Sequence, residues 1–263
     1  MTRTVLISGI SSGIGAAIAA RLAGRGDQVL GLSRSPPAQS GITWQPADVC
    51  DSVAVVAATD ALLTGHDHLD AVICNAGVGL LGSVEDVPLD AARRLFDVNY
   101  FGVVNVLKAT LPRLRAQGKG KVLIMASLAS RVPLPFQAHY SASKAALESL
   151  GMALGEELAP HGIGVSLIEP GDIRSGFNAA MRRFEDPGSR YHPWLARCAQ
   201  SVSDLMKNAQ DPKIIVDLVE DILECSRPRP RYAIGSGARL VTLATRVFTD
   251  RMNLGLIRRH YRL

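Results

Sequence analysis

Short apolar runs alternate with longer amphipathic stretches along most of the chain. Residues 4–8 precede a helical pattern over 14–22, and the runs at 28–33 and 42–47 precede another over 51–63. The rhythm continues with 71–74 and a helix over 89–115, 121–126 and a helix over 138–158, 164–168 and a helix over 212–225, and a last run at 231–234. Val5-Leu6-Ile7 and Val122-Leu123-Ile124-Met125 are apolar at every position, so neither leaves a face for water. Strands of that kind, each followed by a helix, predict an α/β fold: a doubly wound parallel sheet with helices on both sides, a three-layer α/β/α sandwich.

The punctuation agrees with these boundaries. Pro88 and Pro212 stand at helix starts, Gly24 and Gly26 close the first helix, and Pro160 with Gly162 stop the long one. Residues 175–210 mix Arg, Pro, Gly and aromatics with poor periodicity, which predicts an insertion over the sheet. Residues 1–263 are read as one domain, with that insertion and a basic helical tail over 236–263.

Composition narrows the class. With 47% apolar and 20% charged residues among 263, the chain has the make-up of a soluble globular protein. No apolar run reaches the roughly 18 residues of a membrane-spanning helix. The N-terminus runs straight into a strand without a secretory pattern, and a cytoplasmic location is expected. Cys50, Cys74, Cys198 and Cys225 lack metal-ligand spacing, so reduced thiols and no metal site are expected. The net charge of +5 is uneven: from residue 227 onward there are nine Arg, no Lys and one acid, Asp250. The basicity belongs to the tail.

Candidate chemistry begins between the first strand and first helix, at Ser8-Gly9-Ile10-Ser11-Ser12-Gly13-Ile14-Gly15. Glycines let the chain turn sharply and let a pyrophosphate approach a helix N-terminus, where unpaired N–H groups favour negative charge. The same residues would also serve a plain tight βα turn. The spacing here is GxxxGxG, and it resembles the short-chain dehydrogenase/reductase family, which carries this turn near its N-terminus. Further motifs follow in the family's order: Asn75-Ala76-Gly77, with Cys74 in place of a common Asn, then Asn99, Ser127, Tyr140-Ser-Ala-Ser-Lys144 and Pro170-Gly171. The resemblance covers about residues 4–175. It implies a Rossmann-type fold and a nicotinamide-dependent oxidoreductase.

By that resemblance the cofactor lies against Gly9, Ser11, Ser12, Gly13, Ile14 and Gly15, with Asn75, Ala76 and Gly77 beside them. Asp48 and Val49 would contact the adenine, although Asp48 reads equally as an N-cap. Pro170, Gly171 and Ile173 would bind the carboxamide, and Ser175 keeps the hydroxyl of the family's usual Thr. Cofactor choice is read after the second strand, where an acid would repel a 2′-phosphate. Here Ser33 and Arg34 stand at that place, so NADP(H) is favoured over NAD(H). Arg34 would otherwise be a solvated surface charge.

Tyr140 and Lys144 are four residues apart and share one face of a helix. A free Tyr titrates near pH 10, and a nearby ammonium stabilises its phenolate, so the spacing suits a tyrosine acid/base with a lysine partner. The resemblance implies that Lys144 also holds the nicotinamide ribose, that Ser127 binds the substrate oxygen, with Ser130 as rival, and that Asn99 supports a water beside the lysine. Tyr140 and Lys144 thus count among both the catalytic and the cofactor residues.

The substrate is read more coarsely. Leu134, Pro135, Phe136, Val78, Leu80, Phe177, Tyr191 and Trp194 would line an apolar pocket, which suits a hydrophobic ketone or secondary alcohol. The Arg-rich ending resembles the hydroxysteroid and retinol dehydrogenase branch. In the tail, Leu240, Leu243, Ala244, Val247 and Phe248 form one apolar face beside Arg239, Arg246 and Arg251. Three roles are open to it: packing on the body or a subunit partner, a lid, or peripheral membrane contact. Nucleic acid is not expected, and the resemblance implies a homodimer or homotetramer. The rival readings are a catalytically silent NADP-binding regulator and an epimerase or dehydratase sharing YxxxK.

Overall fold

A computed structural model describes residues 2–261 and 263. Seven strands form one parallel sheet: β1 (Thr4–Ser8), β2 (Gln28–Ser33), β3 (Ile42–Pro46), β4 (Ala71–Cys74), β6 (Gly120–Met125), β7 (Ile163–Pro170) and β9 (Arg231–Ile234). Their spatial order is β3-β2-β1-β4-β6-β7-β9, every neighbouring pair parallel. The order reverses between β1 and β4. A crevice opens there beyond the strands' C-terminal ends, the usual ligand site of such sheets.

Alternation along the strands divides the core in two. Leu6, Val72, Val122, Ile124 and Leu167 meet α2 (Ser52–Leu63), α4 (Gly102–Gln117) and α5 (Ala138–Leu158) on one face. Val5, Ile7, Ile73, Leu123 and Ile168 meet α1 (Gly13–Gly24) and α7 (Lys213–Glu224) on the other. Full burial of both faces is why the centres of β1, β4 and β6 are apolar at every position.

The observed elements depart from the sequence pattern in three places. The helix expected over 89–115 is α3 (Leu89–Phe96), a π turn over Asp97–Phe101, and α4. The insertion over 175–210 is more ordered than its composition suggests. Its Arg182–Arg183 (β8) pairs in parallel with Leu80–Leu81 (β5), and it forms the 16-residue α6 (His192–Lys207). Leu195, Cys198 and Val202 recur there at helical spacing, a period masked by Pro193, Arg197 and Gln200. The tail is two helices, α8 (Ala238–Val247) and α9 (Asp250–His260), broken at Phe248 and Thr249. The apolar face, for which the sequence leaves packing, a lid and membrane contact all open, is only partly covered: Ala244 is half-buried, whereas Leu240, Leu243 and Val247 are 70%, 61% and 66% exposed.

Candidate active site

One cleft of about 1590 Å³ runs along the C-terminal edge of the sheet, from Arg34 and Asp48 at one end to α6, α8 and α9 at the other. At the glycine turn the wall is backbone. A Cβ at Gly15 would lie 2.2 Å from the Gly9 carbonyl oxygen, and one at Gly9, where φ is +74°, would lie 2.8 Å from Ala76 Cα. Only glycine permits that approach. Asn75 Nδ2 donates to the carbonyls of Ser8 (3.2 Å) and Gly9 (3.1 Å), tying the β4 loop to the turn. Ser12 precedes α1 without a side-chain capping bond, so the first-turn N–H groups are not satisfied by a side chain. A glycine cradle closed to any Cβ and facing open helix donors fits a pyrophosphate.

At the Arg34–Asp48 end of the cleft the residues are partly committed to one another. Ser33 donates its hydroxyl to the Ser35 carbonyl (2.6 Å) and accepts from Trp44 Nε1 (2.9 Å). Arg34 is exposed, lines the cleft and has no ion pair among the described residues. Asp48 is not the N-cap of α2; Asp51 is, accepting from the N–H groups of Val53 and Ala54. Asp48 instead accepts from the Cys50 N–H (3.0 Å) and from Arg94 Nη2 (2.6 Å). Partial burial pushes its carboxyl upward, but these two donors outweigh it and hold the group below the ordinary carboxylate range. The motif pattern gave no hint of Arg94, 46 residues away on α3.

Midway along the cleft the sheet delivers three side chains together. Ser127 follows β6 and Tyr140 opens α5, and both line the cleft, with the Ser127 hydroxyl near enough to the phenol to ease its ionisation. Ser127 also caps the 3₁₀ turn Leu128–Ser130, whereas the rival Ser130 spends its hydroxyl on the Ser127 carbonyl (2.7 Å). Lys144, one turn beyond Tyr140, places Nζ 5.9 Å from the Tyr140 ring centre and donates to the Met125 carbonyl (2.8 Å). Burial dominates both titrations. It pushes Tyr140 up to about 12, with Ser127 partly opposing, and Lys144 down to about 8.

Asn99 lies in the π turn and is fully buried. Its side chain accepts from the Val78 N–H (2.8 Å) and donates to the Val78 carbonyl (3.0 Å) and the Ser143 hydroxyl (3.1 Å). A Cβ on Gly77 would sit 3.4 Å from Asn99 Oδ1 and 3.5 Å from Lys144 Nζ, so the loop, Asn99 and Lys144 meet at one point. Pro170 ends β7, and the following Gly171 packs so closely on Ser236 that a Cβ would lie 2.4 Å from its carbonyl oxygen. Ile173 and Ser175 line the cleft, with the Ser175 carbonyl 3.2 Å from where a Gly13 Cβ would be.

A family profile described as short chain dehydrogenase matches residues 3–186. The chain belongs to the short-chain dehydrogenase family. It is similar to the 3-ketodihydrosphingosine reductase of Bacteroides thetaiotaomicron, 31% identical over 234 residues that span 88% of this chain and 87% of that one. Human 17-beta-hydroxysteroid dehydrogenase type 1 is 35% identical over 257 residues, spanning 88% and 77%. A short-chain dehydrogenase crystal structure from Streptomyces avermitilis superposes with a TM-score of 0.82 at 26% identity, covering 100% of this chain and 98% of that one. The fold recurs in short-chain dehydrogenases from Burkholderia cenocepacia in complex with NADP (TM-score 0.77, 24% identity, 97% and 96% covered) and Burkholderia phymatum in complex with NAD (0.80, 23%, 97% and 95%). This short-chain dehydrogenase is thus an NAD(P)-dependent oxidoreductase acting on CH–OH or C=O groups.

The other end of this dehydrogenase's cleft is assembled from remote side chains. Val78, Leu80, Leu134 and Phe177 line it, as the sequence suggested, and the Phe177 ring lies 5.6 Å from that of Tyr140. Pro135, Phe136, Tyr191 and Trp194 do not line it. Phe136 packs on Leu81, Met181 and Leu195, and Tyr191 donates its hydroxyl to Glu85 (2.9 Å) at the surface. Their places are taken by Val202 and Leu205 of α6 and by Val241, Phe248, Leu256 and Ile257 of the tail. The tail is one wall of the site. Among the described residues no helix is long and apolar enough to cross a membrane.

Proposed function

We propose that the protein is an NADP(H)-dependent oxidoreductase interconverting a hydrophobic ketone and its secondary alcohol, with Tyr140 as the proton donor and acceptor. The observation that carries this reading is the Tyr140–Ser127 hydroxyl pair, with Lys144 one helical turn away, set where the glycine cradle meets the apolar end of the cleft. Gly9, Ser11, Ser12, Gly13, Ile14 and Gly15 would hold the pyrophosphate. Asn75, Ala76, Gly77, Pro170, Gly171, Ile173 and Ser175 would border the nicotinamide end, and Ser33, Arg34, Asp48 and Val49 the adenosine end. When bound, the nicotinamide supplies or accepts the hydride.

In the reducing direction Tyr140 hands its proton to the carbonyl oxygen while Ser127 donates to the same oxygen, so charge developing there meets two hydroxyls. Burial keeps that proton on Tyr140 at neutral pH, as an acid requires. The Lys144 ammonium offsets the negative charge then left on the phenolic oxygen. Asn99 holds the loop at Val78 and, through Ser143, the helix carrying Tyr140. Polyketide, retinoid and steroid carbonyls share the required chemistry, and the apolar wall of Val78, Leu134, Phe177 and Leu205 supports that class. Tyr140→Phe is expected to lower kcat by about 10²–10⁴-fold while NADPH binding, followed by fluorescence, is kept. A wild type that binds NADPH yet turns over no member of a panel of hydrophobic carbonyls and alcohols would sink the reading.

Preference for NADP(H) rests on Arg34, an unpaired guanidinium at a place where an acid would repel a 2′-phosphate. kcat/KM for NADPH is expected to exceed that for NADH by at least about tenfold, one favourable charge-assisted contact. Arg34→Asp should reverse the order. An NADH preference in the wild type would refute it.

A further inference from the structure

The tail helices have two different sides. Inward, Val241, Ala244, Phe248, Leu256, Ile257 and Tyr261 wall the mouth of the cleft. Outward, Leu243 and Val247 on α8 and Met252 and Leu254 on α9 are large apolar side chains left in water, at 61%, 66%, 52% and 45% exposure. Arg239, Arg246, Arg251 and Arg258 stand on the same two helices, all exposed and without an ion pair among the described residues, while Arg259 lines the cleft. Asp250 is the one acid on these two helices.

Exposed aliphatic side chains on the same helices as exposed guanidinium groups match a bilayer interface with anionic headgroups, where the first enter the acyl boundary and the second pair with phosphates. A second copy of the chain is a poorer occupant. A two-fold interface would set this arginine-rich patch against itself, and like charges face to face oppose association. From these observations we infer that the α8–α9 hairpin seats the enzyme on an anionic lipid surface, with Leu243, Val247, Met252 and Leu254 inserted. The mouth of the cleft then opens at the lipid, and an apolar substrate enters from it. That last clause rests on the substrate class proposed above; the docking itself does not.

Sedimentation with vesicles tests the docking without any substrate. The full-length enzyme is expected to pellet with phosphatidylcholine vesicles containing about 30% phosphatidylglycerol, to stay in solution with pure phosphatidylcholine, and to be released by about 0.5 M salt. Arg246→Glu with Arg251→Glu should cut the bound fraction at least about tenfold. Leu243→Asp with Val247→Asp should do the same. None of these four residues lines the cleft, so both variants should keep the wild-type thermal midpoint and turnover of a water-soluble ketone. Absence of wild-type binding to anionic vesicles, or binding retained by both variants, overturns the proposal. So does a dimer seen by size exclusion that the Leu243→Asp, Val247→Asp variant dissociates while vesicle binding stays absent. Vesicle binding with no activity on hydrophobic carbonyls would leave the docking standing and remove the substrate assignment.

Discussion

At the glycine turn the walls of the cleft are main chain held against main chain, whereas at the opposite end they are side chains offered by α6, α8, α9 and the loops after β4 and β6. Gly15 has no room for a methyl group because the Gly9 carbonyl stands 2.2 Å from where it would be. Leu205 and Val241, by contrast, are half-buried walls of a wide cleft. The first end has one shape that all its residues must respect together. The second can be re-cut one side chain at a time.

Changes at the two ends should therefore differ in kind. Gly15→Ala is expected to have the largest effect, since backbone must move: about 1–3 kcal/mol of stability lost and NADPH binding weakened beyond measurement. Thermal unfolding and a fluorescence titration report the two losses, and near-normal NADPH affinity would break the contrast. The next effect is electrostatic and lies where the ends meet. Burial lowers Lys144 to about 8, and a partner that favours its ammonium form must raise that value again. Binding then takes up a proton above pH 8, so NADPH affinity should fall as pH rises, by up to about tenfold per unit. Lys144→Met should flatten that slope. A slope identical in the variant would assign it to another group. Leu205→Ala should be the mildest, raising KM for a bulky apolar ketone roughly fivefold, about 1 kcal/mol of lost contact, with NADPH affinity and thermal midpoint unchanged. Equal damage to cofactor binding would show that the two ends are coupled.

The same contrast governs how much could be read in advance. Strand positions such as 4–8 and 121–126 were legible because two-sided burial forces apolar runs at their centres, and α5 because it extends over 21 residues. The catalytic candidates were legible because Tyr140 and Lys144 lie within one turn of one helix, and the glycine cradle because its left-handed backbone at Gly9 and Gly13 and the approach of Gly15 to the Gly9 carbonyl are local to one turn. Arg94 at Asp48, Trp44 at Ser33 and Arg131 at Glu169 were not, since each pair joins residues 11 to 46 positions apart. Helix α6 was hidden by polar residues that face water around a narrow apolar stripe. Pro135, Phe136, Tyr191 and Trp194 misled for the converse reason: an apolar or aromatic side chain does not reveal which of several surfaces it will join.

What the sequence determined by itself was the set of local constraints: which stretches must be strands or helices, where only glycine fits, and which hydroxyl and ammonium share a face. These follow from backbone sterics and periodicities of two and 3.6 residues. Tertiary structure decided what those elements enclose. It placed Asn99 between Val78 and Ser143, set Arg94 on Asp48, and laid α8 and α9 over the mouth of the cleft with Leu243 and Val247 turned outward. Such contacts join segments far apart in the chain, and no local pattern records which of them will meet.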